Sequence, residues 1–107
     1  MTTAEFHFAG DLIKSLKISG HSGFADEGED IICASVSSTV WMTINGLENV
    51  IGAKVSYKEK EALVTLNVKN ESLKEAFPML ESLRQFLCNL SIEYEDYLTV
   101  KEVHENV

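Results

Sequence analysis

The chain has 107 residues, 45% of them hydrophobic and 24% charged, with nine Lys and Arg against seventeen Asp and Glu and a formal net charge of −8. That length suits a single domain over residues 1–107, with one core that gains from a partner subunit. The acidic balance and the lack of a Lys/Arg cluster exclude nucleic acid as a direct ligand, and no run of about eighteen apolar residues exists to span a bilayer.

In chain order, Glu5–Ala9 and Ile13–Ile18 alternate as strands around a Gly10-Asp11 turn, which predicts a hairpin. The chain then enters the glycine-studded stretch that holds His21. Downstream, Ile32, Val36, Val40, Thr43, Leu47, Val50 and Ile51 recur at helical spacing, predicting one helix from Asp30 to Ile51 that stops at Gly52. Ala53–Lys58 and Ala62–Val68 read as a second hairpin joined by Glu59-Lys60-Glu61. Ser72-Leu73-Lys74-Glu75 has the capping-box pattern and opens a second helix running towards Tyr94. Pro78 falls inside it, so the spacing predicts either a kink there or a later helix start. Tyr97–Val103 is the last strand, followed by the tail His104–Val107. The expected architecture is α+β in the order ββαββαβ, with two long helices on a small mixed or antiparallel sheet.

Chemistry is concentrated at Cys33. Free cysteine ionises near a pKa of about 8.5, and a helix N-terminus and a neighbouring imidazole are the usual means of activating it. With Asp30 as N-cap, Cys33 falls in the first turn, where unpaired N–H groups favour a thiolate. The same groups are expected to receive the oxyanion of an acyl-transfer intermediate. His21, just after the second strand, is the candidate base. Spacing alone leaves the plainer reading open, a small cysteine packed in an apolar helix. A metal site from His21, Cys33 and Asp30, with His7 as a remote extra, is set aside because C-x-x-C and H-E-x-x-H spacings are lacking.

The segment as a whole decides between these readings. Gly20-His21-Ser22-Gly23-Phe24-Ala25, followed by Gly28-Glu29-Asp30-Ile31-Ile32-Cys33-Ala34-Ser35-Val36-Ser37, closely resembles the signature of the bacterial ribosomal-processing cysteine protease family Prp, also described as YsxB-like. The likeness continues at Asn45-Gly46-Leu47 and at Glu93-Tyr94-Glu95-Asp96-Tyr97-Leu98. The resemblance implies a cysteine endopeptidase that removes an N-terminal extension from the precursor of large-subunit ribosomal protein twenty-seven, cutting after an aromatic pair. It implies Cys33 as nucleophile and His21 as base, a catalytic dyad supported by Asp30 and Ser37. No cofactor and no metal enter that chemistry. The alternative is a non-catalytic ribosome-associated module that binds a peptide without cutting it.

Several further expectations follow. Gly20, Gly23 and Gly28 bracket the His21 loop, either as hinges of a mobile cover or as shapers of a fixed turn. Phe24 is read as an apolar wall for a substrate side chain or as a hydrophobic anchor. Asp26, Glu27, Glu29 and Asp30 either attract a basic polypeptide or merely solvate a turn. Ile31, Trp41, Met42 and Ile44 on the first helix, and Met79, Phe86 and Cys88 on the second, lie outside the main apolar stripes. They predict burial against the other helix and a second subunit, hence a homodimer, as the resemblance also suggests. Two cysteines without a secretory leader predict a reduced, cytoplasmic protein with no membrane partner.

Overall fold

The computed structural model describes residues 1–20 and 30–105. Strand β1, Thr2–Ala9, shows strict alternation: Thr2, Ala4, Phe6 and Phe8 are buried, while the residues between them are only partly covered. It pairs antiparallel with β2, Leu12–Ser19, through a turn at Gly10, whose φ of 62° suits glycine. A register shift between His7 and Phe8 leaves Lys14 without a pairing partner. Ile13 and Leu16 thereby both reach the core although they are three residues apart.

Helix α1 covers Ile31–Asn45, and its buried stripe of Ile32, Val36, Val40 and Ile44 follows the helical period. The expected single helix to Ile51 changes character at Gly46. Residues Gly46–Ile51 form a π-helical turn, closed by Gly52 at φ 76° with its N–H on the Leu47 carbonyl. A Cβ on Gly46 would strike Met79, so the glycine permits close approach of the second helix.

The second hairpin, β3 Val55–Lys60 and β4 Leu63–Val68, is shifted from its expected position. Its turn is Glu61-Ala62 rather than Glu59–Glu61. Glu59 and Lys60 read as part of a charged loop in the sequence because edge strands carry such residues to discourage further pairing. Ala62 holds φ 56°, which costs a non-glycine residue about 1 kcal/mol.

A short 3-10 turn, Asn70–Ser72, leads into α2, Leu73–Glu93. The capping box is not formed. Ser72 makes no side-chain cap bond, and its Oγ instead accepts the N–H of Lys54 at 2.8 Å, tying the approach to β3 to the start of α2. Pro78 does not interrupt the helix. The carbonyl deprived of a partner is that of Lys74, an exposed residue, where water can satisfy it. Strand β5, Leu98–His104, completes the sheet.

The strand order is β3-β4-β2-β1-β5, antiparallel throughout except for the parallel β1·β5 pair, so the sheet is mixed. The observed order is ββαββαβ, as the sequence predicts. Strand residues such as Phe6, Ile13, Leu66 and Leu98 join Ile32, Leu47, Leu80 and Leu87 in one core, and burying each large side chain is worth about 1.5–3 kcal/mol.

Arg84 braces α2 to the edge strand. Its Nε and Nη2 bond both carboxylate oxygens of Glu81 at 2.7 Å, and Nη1 reaches Glu102 Oε2 on β5 at 3.3 Å and Cys88 Sγ at 3.7 Å. The Arg84 hydrogen bonds hold the Glu81 carboxyl down to about 2, against the upward push of burial. Between the outer faces of the helices runs an apolar groove of about 170 Å³, flanked by Met42 (63% exposed) and Phe86 (43% exposed).

Candidate active site

Asp30 begins α1 as an extended N-cap, and its Oδ1 accepts the N–H of Ile32 at 2.9 Å and of Cys33 at 3.1 Å. Its backbone carbonyl takes the N–H of Ala34 at 3.0 Å. The expectation that first-turn amides stand ready for an oxyanion therefore needs correction. The amides of Ile32 and Cys33 are already engaged by the Asp30 carboxylate, and Asp30 is 5% exposed.

Cys33 is half-buried in the first turn, and Ser37 follows one turn later on the same face. Both line a cleft of about 370 Å³. Ile18, Val36 and Val64 supply its apolar surfaces, and Glu59 and Lys60 bring charge from the β3–β4 hairpin. Gly20 borders the cleft at the end of β2, with φ 84° and its N–H on the Ala62 carbonyl at 2.9 Å. A Cβ at Gly20 would collide with the backbone carbonyl oxygen of Met1. Glycine is thus required at the residue that hands the chain on to His21.

The structure brings Asp30, Cys33, Ser37 and Gly20 to one cleft. His21, Gly23, Phe24, Asp26, Glu27, Gly28 and Glu29 lie outside the described residues, and so does the pairing of His21 with Cys33. His7 is elsewhere, on β1, with Nε2 3.3 Å from Glu5 Oε1. Among the described residues no three His, Cys, Asp or Glu side chains cluster as a metal site would require, and no described helix is long and apolar enough to cross a membrane.

Sequence reasoning missed the other walls of the cleft. Thr2, 2% exposed with its backbone N–H on the Tyr97 carbonyl at 2.9 Å, borders it from β1. Among the described residues the Thr2 hydroxyl has no hydrogen-bond partner. Glu59, Lys60 and Ala62–Val64 arrive from the hairpin. Nothing local marks these residues, because the order β4-β2-β1 is what assembles them.

The sequence model of the family described as cysteine protease Prp matches residues 1–99. No curated protein is significantly similar in sequence. Among solved structures, the essential ribosomal processing protease Prp from S. aureus, in complex with a covalently linked product peptide, superposes with a TM-score of 0.89 at 16% identity, covering 95% of this chain and 99% of that one. The same protease with a substrate peptide gives 0.83 at 15% identity, over 95% and 99%. A protein from Streptococcus mutans gives 0.85 at 23% identity, over 98% and 99%.

Proposed function

The chain belongs to the cysteine protease Prp family, and from that premise we propose that Cys33 is the nucleophile and His21 the base of an endopeptidase acting on a ribosomal-protein precursor. The observation that carries the reading is the placement of Cys33, half-buried in the first turn of α1 and lining a cleft with apolar walls.

In the proposed reaction His21 takes the Cys33 proton and Sγ attacks the scissile carbonyl carbon, forming the C–S bond and an oxyanion. The imidazolium then protonates the leaving amine as the C–N bond breaks. Water, giving a proton to His21, attacks the thioester, and the thiol is restored as the carboxylate leaves. Ile18, Val36 and Val64 offer apolar surface to an aromatic side chain of the substrate. This suits removal of an N-terminal extension from large-subunit ribosomal protein twenty-seven, cut after an aromatic pair. A net charge of −8 draws such basic polypeptides towards the enzyme. The setting proposed is the cytoplasm, where that substrate is made, and the working form is a homodimer joined through the groove at Met42 and Phe86.

The test is incubation with the extended ribosomal protein, followed by mass analysis of the products. One new N-terminus is expected from the parent. Cys33→Ala should give none, and His21→Ala should suppress it strongly. Undiminished cleavage by Cys33→Ala would overturn the assignment.

A further inference from the structure

We propose that the open face of the sheet binds the phosphodiester backbone of single-stranded RNA. The inference goes beyond the protease reading and does not depend on Cys33. The linear sequence has no Lys/Arg cluster, but the strand register assembles one. Lys17 lies opposite Glu5 on one side and Thr65 on the other, Thr65 lies opposite Lys58, and Glu5 lies beside Lys101. Lys58, Thr65, Lys17, Glu5 and Lys101 therefore form one row across all five strands. Lys60 opens the next row, opposite Leu63 and on the same face as Lys58.

Side-chain alternation turns these rows away from the helices. Ala4, Phe6, Leu16 and Leu66, which flank Glu5, Lys17 and Thr65 along their strands, are buried in the core. Lys17, Lys58, Lys60 and Lys101 are all exposed. No ion pair among the described residues involves any of the four, whereas Lys14, Lys54 and Arg84 each have a carboxylate partner. Glu5 is the one acid in the two rows. Glu59 and Glu102 alternate to the helix side, and Glu61, in the hairpin turn, borders the face. Four lysines against one carboxylate leave a local charge of +3 in a chain of −8.

Acids on the helices stand behind the sheet, and a Debye length of about 8 Å at physiological salt weakens their reach across it. Lysine ammonium groups serve phosphates as point charges. Strands about 4.8 Å apart place Lys58, Lys17 and Lys101 along a line of roughly 19 Å, a track for an extended polyanion. The hydroxyls of Ser19, Thr3 and Thr99, side by side in the neighbouring row, suit phosphate and sugar oxygens. The two rows offer no aromatic ring for base stacking, so contacts fall on the backbone and sequence preference is weak. Membrane docking adds inserted apolar side chains to such charge, and these rows carry only Leu63, half-buried.

The probe is a fluorescently labelled oligouridylate, titrated with the full protein and read by anisotropy. With about three phosphates neutralised, log Kd should rise with log salt at a slope of about 2, so an increase of about fourfold in salt weakens binding about fifteenfold. Lys17→Gln combined with Lys58→Gln should weaken binding at low salt at least about fivefold and bring the slope under about 1. Lys69→Gln combined with Lys74→Gln makes the same change in net charge away from this face and should stay within about twofold of the parent. Glu5→Gln should tighten binding about threefold, which no loss of folding can mimic. Thermal midpoints within a few degrees of the parent establish that the variants are folded. Equal losses from the two lysine pairs, or no binding by the parent at low salt, would overturn the proposal. Binding to phosphatidylserine vesicles without binding to the oligouridylate would overturn it in favour of a membrane. Cleavage by Cys33→Ala bears on the protease reading alone and leaves this one standing.

Discussion

The backbone N–H of Gly20 donates to the carbonyl of Ala62 at 2.9 Å, joining the end of β2 to the tip of the β3–β4 hairpin at the border of the Cys33 cleft. Both residues have positive φ, 84° at Gly20 and 56° at Ala62, but their substitutions should act in opposite directions. Gly20→Ala places a Cβ against the Met1 carbonyl and strains the backbone, at a cost of about 2–4 kcal/mol, and should displace β1 from the cleft. Ala62→Gly relieves strain and should stabilise by up to about 1 kcal/mol. Urea unfolding of the two variants checks both signs. A Gly20→Ala protein as stable as the parent would contradict the packing described here.

The Glu81–Arg84 pair should show itself in acid. Its carboxyl is held down from an ordinary 4.5 to about 2, so the unfolded chain binds a proton in that window more readily than the folded one. The stabilisation is present above pH 4.5 and fades as pH falls towards 2. Both side chains are about one-fifth exposed, 22% and 21%, and water screening holds the contribution to about 1 kcal/mol. Glu81→Gln should therefore be less stable than the parent at pH 7 by that amount, with the two converging near pH 2. Thermal midpoints measured across the range decide it. A gap that widens in acid would refute the sign.

Ser72 links two elements through its side chain rather than capping one. Ser72→Ala leaves the Lys54 N–H without its acceptor and should cost about 1–2 kcal/mol. Glu75→Ala should cost under about 0.5 kcal/mol, since no reciprocal capping bond exists to lose. Equal losses from the two substitutions would point back to a capping box.

The homodimer proposal is tested at the helix groove. A combined Met42→Glu and Phe86→Glu variant adds charge at two exposed positions and should sediment as a folded monomer where the parent sediments as a dimer. A parent that is monomeric at tens of micromolar would end that proposal.

Much of the architecture was legible because periodicity carries it. The alternation of Ala4, Phe6 and Phe8 and the stripe Ile32, Val36, Val40 gave element type directly, whereas boundaries slipped where another requirement intervened. The hairpin turn slipped because an edge strand is charged. The helix ends at Ile51 before Gly52 as the sequence predicts, but its last turn, Gly46–Ile51, is π-helical rather than α-helical. At the site, Asp30 and Cys33 were legible from the start of the helix, whereas Ser37 came from the family resemblance, with helical spacing adding only that it shares a face with Cys33. Thr2, Glu59 and Lys60 were not legible, because only the strand order brings them near.

The parallel pairing of β1 with β5 makes one wall of the cleft depend on a distant part of the chain. Thr2, bordering the cleft, is held by Tyr97 and lies in register with Leu98, so the first strand waits for the last to be synthesised. A growing chain halted before residue 98 has every group proposed for chemistry and yet leaves one wall of its cleft unsupported.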